Sequence, residues 1–120
     1  MSTLNVANIT DGTDTVATGY VVNGSAKAWA HSNSAAAPLN SLNVSSGLDN
    51  GVGDYTYTYT AAMTISYYSS QANVRVLSGA AYIGITNLQT ATTITVGTYR
   101  TSTDARNDRE NLFAAFGDLA

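Results

Sequence analysis

Asp49-Asn50-Gly51-Val52-Gly53-Asp54-Tyr55-Thr56-Tyr57-Thr58-Tyr59-Thr60 decides how this chain folds. Asn-Gly favours the positive φ angles of a tight turn and Gly53 adds the same freedom, so 49–54 reads as the turn of a β-hairpin. From Tyr55 onward, rings and hydroxyls alternate with a period of two. That spacing puts Tyr55, Tyr57 and Tyr59 on one face of a strand and Thr56, Thr58 and Thr60 on the other. A helix would scatter them around its circumference.

Outward from this hairpin, further strands are expected over 16–22, 26–31, 42–46, 65–76, 80–86 and 92–100. Leu77-Ser78-Gly79 reads as a turn, and 32–38 as a small, polar loop containing Ala35-Ala36-Ala37-Pro38. Many short strands separated by Gly, Asn and Ser predict an all-β protein, an antiparallel β-sandwich. No helix-period segment is expected before residue 100. Residues 1–20 are polar and turn-rich, with Asp11-Gly12 and Gly19 as breakers. They read either as a flexible tail or as an extended N-terminal attachment segment, ordered against a partner or around a trimer axis. The sandwich domain is then expected over 21–120. Because it opens on Met1, the chain reads as a complete short gene product.

Three motifs in order carry a resemblance: Asn23-Gly24-Ser25-Ala26-Lys27-Ala28-Trp29, then Leu42-Asn43-Val44-Ser45-Ser46, then Asp49-Asn50-Gly51-Val52-Gly53-Asp54-Tyr55-Thr56. With Phe116-Gly117-Asp118 near the end, they resemble the C-terminal β-rich domains of bacteriophage tail-fibre and related virion proteins, over roughly 21–118. The resemblance implies a virion structural role and a homotrimer, often at a host-facing surface, synthesised in the host cytoplasm. It also implies a final strand closing on Phe-Gly-Asp. Local rules compete at that point. Thr103 could cap a helix from Asp104, with Leu112, Phe113 and Phe116 on one face and Gly117 as a stop. The expectation taken is the strand, from 109 to 116, with Phe113 and Ala115 on one side and Phe116 on the other.

Composition narrows the function classes. Charged residues make up 11% of 120 positions, against roughly 25% in ordinary soluble proteins. The surface must therefore be largely Thr, Ser, Asn and Gly, which suits a fibre or shell component. Net charge is −3 and the five cations are dispersed, so a phosphate backbone, which needs several convergent cations, is not an expected partner. No cysteine is present, which removes disulfides and thiolate chemistry and leaves oligomerisation as the expected source of sturdiness. No signal peptide and no apolar run of roughly 20 residues is visible, so membrane insertion is not expected.

Chemistry is sparse. His31 is the only histidine, so neither a His-based metal cluster nor a Ser-His-Asp system is expected within one chain, although three copies could converge on an axis. Asp49 and Asp54 flank the turn and are the nearest pair to a glycosidase couple, but Asp is common in turns because it bonds nearby amides. Asp11 and Asp14 show no Ca²⁺-loop spacing with them. No cofactor and no enzyme activity is expected. The densest charge, Asp104 to Glu110 with Arg100 before it, reads as a solvated loop or as an inter-subunit ion-pair network. Subunit-contact candidates are accordingly Trp29, Arg106, Asp108, Arg109, Glu110 and Phe116. Receptor-binding candidates at loop tips, for a host-surface glycan, are Asp49, Asn50, Asp54 and Tyr68, together with the loop 32–40. Tyr67 and Tyr68 must point to opposite sides if extended, so one of them leaves the core. Residues 1–20 are the expected link to other virion proteins. The alternatives carried are a capsid-decoration or head-fibre protein and a monomeric carbohydrate-binding module.

Overall fold

Alternation of tyrosine with threonine does form a strand, and it lies at the centre of the molecule. The computed structural model describes residues 1–76 and 79–120. The expected turn at Leu77-Ser78-Gly79 falls on 77 and 78, outside the described residues. In chain order the strands are β1 (Asn8–Thr10), β2 (Thr15–Ala17), β3 (Ala28–Ser32), β4 (Pro38–Leu42), β5 (Val44–Gly51) and β6 (Asp54–Tyr59). They continue as β7 (Ser69–Val74), β8 (Tyr82–Gln89), β9 (Thr93–Arg100), β10 (Ala105–Arg106) and β11 (Asn111–Phe116), with one short helix, α1 (Thr18–Gly24). Among the described residues no helix is long and apolar enough to cross a membrane.

Two antiparallel sheets face each other in a sandwich-like arrangement. One runs β10-β9-β6-β5 with β8 on the other edge of β9; the second runs β4-β3-β11-β7. The final strand is present and central: β11 pairs β3 on one side and β7 on the other. Its residues alternate as expected, with Asn111, Phe113 and Ala115 buried and Phe116 on the opposite face.

The inner faces are complementary in size. Tyr55, Tyr57 and Tyr59 of β6 and Ile94 and Val96 of β9 are buried, while the facing sheet offers Ala28, Ala30, Ser32 and Ala115. Sheets pack about 10 Å apart, so a tyrosine opposite alanine or serine has room to span the interior. The Tyr57 and Phe113 rings meet at 5.0 Å between centroids, an aromatic contact worth about 0.5–1.5 kcal/mol beyond its area.

Two close approaches shape the hairpin sheet. A Cβ on Gly47 would sit 1.9 Å from the Ala36 carbonyl oxygen, so the 33–37 loop rests directly on β5 backbone. Ala36 itself is buried at a positive φ of 60°. Gly84 of β8 also lies close to Asn73 backbone, at 2.8 Å from an added Cβ. This lets the β8 and β7 edges of the two sheets meet, where the Gln89 amide also donates to Ser70 Oγ.

Four expectations need correction. The strand expected over 16–22 ends at Ala17, and α1 follows. Among the described residues no strand pairs with residues 18–22, so the backbone satisfies itself locally, with Lys27 Nζ donating to the Val22 and Ser25 carbonyls at the end of the helix. The single strand over 42–46 is two, β4 and β5, broken at Asn43. Asn43 takes a φ of 56° and its side chain bonds both the N–H and the carbonyl of Ala61. The strand over 65–76 shrinks to β7, and Met63 instead makes an isolated bridge to Leu119. Finally, residues 1–20 are not simply extended: β1 and β2 form a hairpin and α1 straddles position 20. That N-terminal unit lengthens the molecule, whose Cα radius of gyration is 16.7 Å against about 13.6 Å for a compact domain of this length.

Gly47→Ala is expected to lower the unfolding free energy by about 2–4 kcal/mol, read by chemical denaturation. Gly19→Ala, at a position with nothing within 4 Å, leaves the midpoint unchanged. Equal midpoints for both variants and wild type would contradict the packing of the loop on β5.

Candidate functional site

The charged stretch 104–110, expected at a subunit contact, is held within its own chain against the turn of the hairpin. The turn is built as its residue types require. Asp49 Oδ1 accepts the Gly51 N–H at 2.9 Å and Asn50 Nδ2 donates to Thr56 Oγ1 at 2.8 Å. Gly51 and Gly53 take φ of 131° and 61°. Gly53 is also pressed against other backbone, since an added Cβ would lie 2.6 Å from the Thr98 carbonyl oxygen.

Onto this turn folds the segment between β10 and β11. Asp108 Oδ1 accepts the Gly53 N–H at 2.7 Å and the Tyr55 hydroxyl at 3.3 Å, and the Arg109 N–H donates to that hydroxyl at 3.1 Å. Arg106 pairs with Asp54 at 2.9 Å and lies over the Tyr99 ring at 5.3 Å. Arg109 lies over the Tyr82 ring at 4.4 Å and donates to its hydroxyl. Glu110 completes the row, 3.1 Å from Arg75 Nη1 and 3.4 Å from His31 Nε2. Arg106, Asp108, Arg109 and Glu110 therefore all have partners in their own chain and form a clasp across one end of the two sheets. Asp49, Asn50 and Asp54 come together at that end, but Asp49 and Asn50 serve the turn and Asp54 serves Arg106.

The other candidates separate. Tyr68 is 8% exposed and packs in the core, while Tyr67 is the member of the pair that leaves it, at 89%. Trp29 and Phe116 lie on the outer face of the second sheet, with Trp29 directly opposite Leu42 and Ala114. Tyr67 and Phe116 line an open cleft of about 340 Å³ with Asn23 and Asp118. Among the described residues no group of His, Asp and Glu is arranged to hold a metal ion. Asp11, raised earlier as a ligand, caps its own turn: N–H groups of Asp14 and Thr13 donate to its carboxylate and hold its pKa below the usual range.

Contributions that went unnoticed in the sequence include Asn111 and Tyr82. Asn111 is fully buried, and its Oδ1 accepts the Tyr57 hydroxyl at 2.7 Å. Tyr82 sits under Arg109. Neither had a local signal, since their partners lie 54 and 27 positions away.

Compared with protein-family models, curated proteins and solved structures, the chain matches none.

Burial raises the pKa of Tyr55, Tyr57, Tyr59 and Tyr68 above the ordinary 10.0. For Tyr59 the hydrogen bond with Tyr68 adds to burial. A raised folded-state value means the native state holds these protons more tightly than the unfolded chain does. Their stabilising effect is complete below pH 10 and drains away as pH climbs from 10 toward the folded values. Tyrosinate absorbance of these residues is expected to rise only together with loss of far-ultraviolet circular dichroism. Ionisation near pH 10 with the sheets intact would contradict their burial.

Proposed function

We propose that this chain is a non-enzymatic structural protein of a bacteriophage virion, a tail-fibre-like domain that works as a homotrimer and displays loop tips to a host surface. The observation that carries this proposal is the distribution of apolar and charged groups. Leu4, Tyr20, Leu39 and Leu88 stand more than half exposed and Leu42 just under half, while the dense charge of 104–110 clasps the chain to itself. We read these exposed side chains as parts of an association face, since contiguous apolar surface on a stable protein marks an interaction site. The order of motifs that resembles virion domains supports the same conclusion.

The two tips nearest a host surface are rigidly made, as a display element needs. Asn33 Oδ1 accepts the Ala35 and Ala37 N–H groups at 2.9 and 3.0 Å, and the 49–54 turn is locked by Asp108. A rigid scaffold lets such tips vary in side chain without losing shape. The position on the particle, tail or head, is the same physical problem in either place.

A second reading, a monomeric carbohydrate-binding module, is favoured by one feature. Tyr67 is almost fully exposed beside the cleft that holds Asn23 and Asp118. Sugars stack on such rings. Calorimetry with glycans on a monomer, lost with Tyr67→Ala in a folded protein, would favour it.

Light scattering at micromolar concentration is expected to give three times the 12.5 kDa chain mass, and electron microscopy of intact particles to place the chain in an appendage. A stable monomer would overturn the proposal.

A further inference from the structure

The N-terminal unit cannot account for its own order. β1 and β2 pair only with each other, over three residue pairs, and a hairpin of that size is marginal in water without a sheet or helix to cover it. The helix beside it, α1, has seven residues and buries none of them. Isolated helices of that length are not stable. Leu4, Ile9, Tyr20 and Val22 all face solvent.

A second surface of matching character lies on the same chain. On the outer face of β3 and β11, Leu42, Trp29 and Ala114 stand in one cross-strand row, with Leu112 and Phe116 on either side. A shallow groove of about 290 Å³ runs over Trp29 and Leu112. Gln71 and Asn73 beside it are neutral, and His31, which also lines it, stands 3.4 Å from Glu110, itself paired with Arg75. Aromatic and aliphatic side chains at the centre, with neutral amides around them and no unpaired charge, are the make-up of an interface core.

In its own chain the segment meets this face at the Phe116 end, where Asn23 lines a cleft with Phe116, while no residue of 4–24 lines the groove over Trp29 and Leu112. The Lys27 N–H bonds the Ala115 carbonyl at 2.8 Å, which roots the segment at the Phe116 end of β11. Lys27 Nζ then ties the end of α1. From there the unit projects, and the molecule extends 50 Å along its long axis against 29 and 24 Å across.

We infer that residues 4–24 of one copy pack on the outer face of β3 and β11 of the next copy. Two unlike patches that fit each other make a head-to-tail contact, and such contacts either close a ring or propagate as a filament. In the homotrimer proposed above, on which this inference rests, the ring closes at three. Each copy then covers the groove of its neighbour and receives order for its hairpin in return.

The chain has no cysteine of its own, so engineered cross-links report cleanly. Tyr20→Cys and Leu42→Cys alter exposed side chains at 77% and 49% accessibility, outside the core. Mixed single variants of the full chain should form a disulfide between Tyr20→Cys and Leu42→Cys chains under mild oxidation, and the double variant should link into a closed three-chain species. Tyr20→Asp with Val22→Asp should lose the three-chain mass while the sandwich keeps its near-ultraviolet dichroism. A trimeric mass without that cross-link overturns this arrangement and leaves the trimer standing. A monomeric mass overturns both.

Discussion

The structure depends on tyrosine side chains that fill the interior and find hydrogen-bond partners beyond their own strand, Tyr57 in the facing sheet itself. Tyr57 reaches Asn111, Tyr55 reaches Asp108 and the Arg109 N–H, and Tyr59 meets the Tyr68 hydroxyl at 2.9 Å, which passes on to the Thr93 carbonyl at 3.0 Å. An apolar core can slide, because contact between smooth side chains is nondirectional. A buried hydroxyl cannot, because leaving its partner unsatisfied costs about 1–3 kcal/mol. The ladder thus supplies both the apolar bulk and the register of one sheet over the other. Small residues on β3 are the condition for it, since a leucine at Ala30 would fill the space a ring needs.

Charge is used sparingly and locally. With charged groups only 11% of the chain, the segment 104–110 is drawn over the 49–54 turn by Asp108, Arg106 and Arg109. Exposed pairs such as Arg75 with Glu110 add little, about 0–1 kcal/mol. The strength of the clasp lies in Asp108, which accepts from a backbone amide and a phenol beside the core. Arginines stacked on Tyr99 and Tyr82 cover the rims of the first sheet. Among the described residues no arginine stacks over Trp29 or Leu112 on the outer face of the second sheet.

What could be read from the sequence was what depends on near neighbours. The 49–54 turn and the tyrosine face follow from Asn-Gly and a strict period of two, and the same alternation places Phe113 inside and Phe116 outside. The antiparallel all-β class follows from many short segments between turn residues. Features set by distant packing stayed hidden. Asn43 looks like any strand residue until Ala61 comes alongside it. Gly47 looks like an ordinary strand glycine until the Ala36 carbonyl rests on it. The apolar run at 20–22 looks like strand, yet has no edge to join. The candidate site was half legible: Asp49 and Asp54 were placed at the turn, and one of Tyr67 and Tyr68 was expected to leave the core. Which tyrosine it is, and that Arg106 and Asp108 turn inward, depends on contacts made across more than fifty positions.

The Tyr57 hydroxyl and the Asn111 amide hold the two sheets as a coupled pair. A double-mutant cycle tests it most directly, with Tyr57→Phe, Asn111→Leu and the combination compared by chemical denaturation. A coupling of about 1–3 kcal/mol is expected, as for contacting groups within one buried network. Single-variant effects that simply add, within about 0.3 kcal/mol, would contradict it.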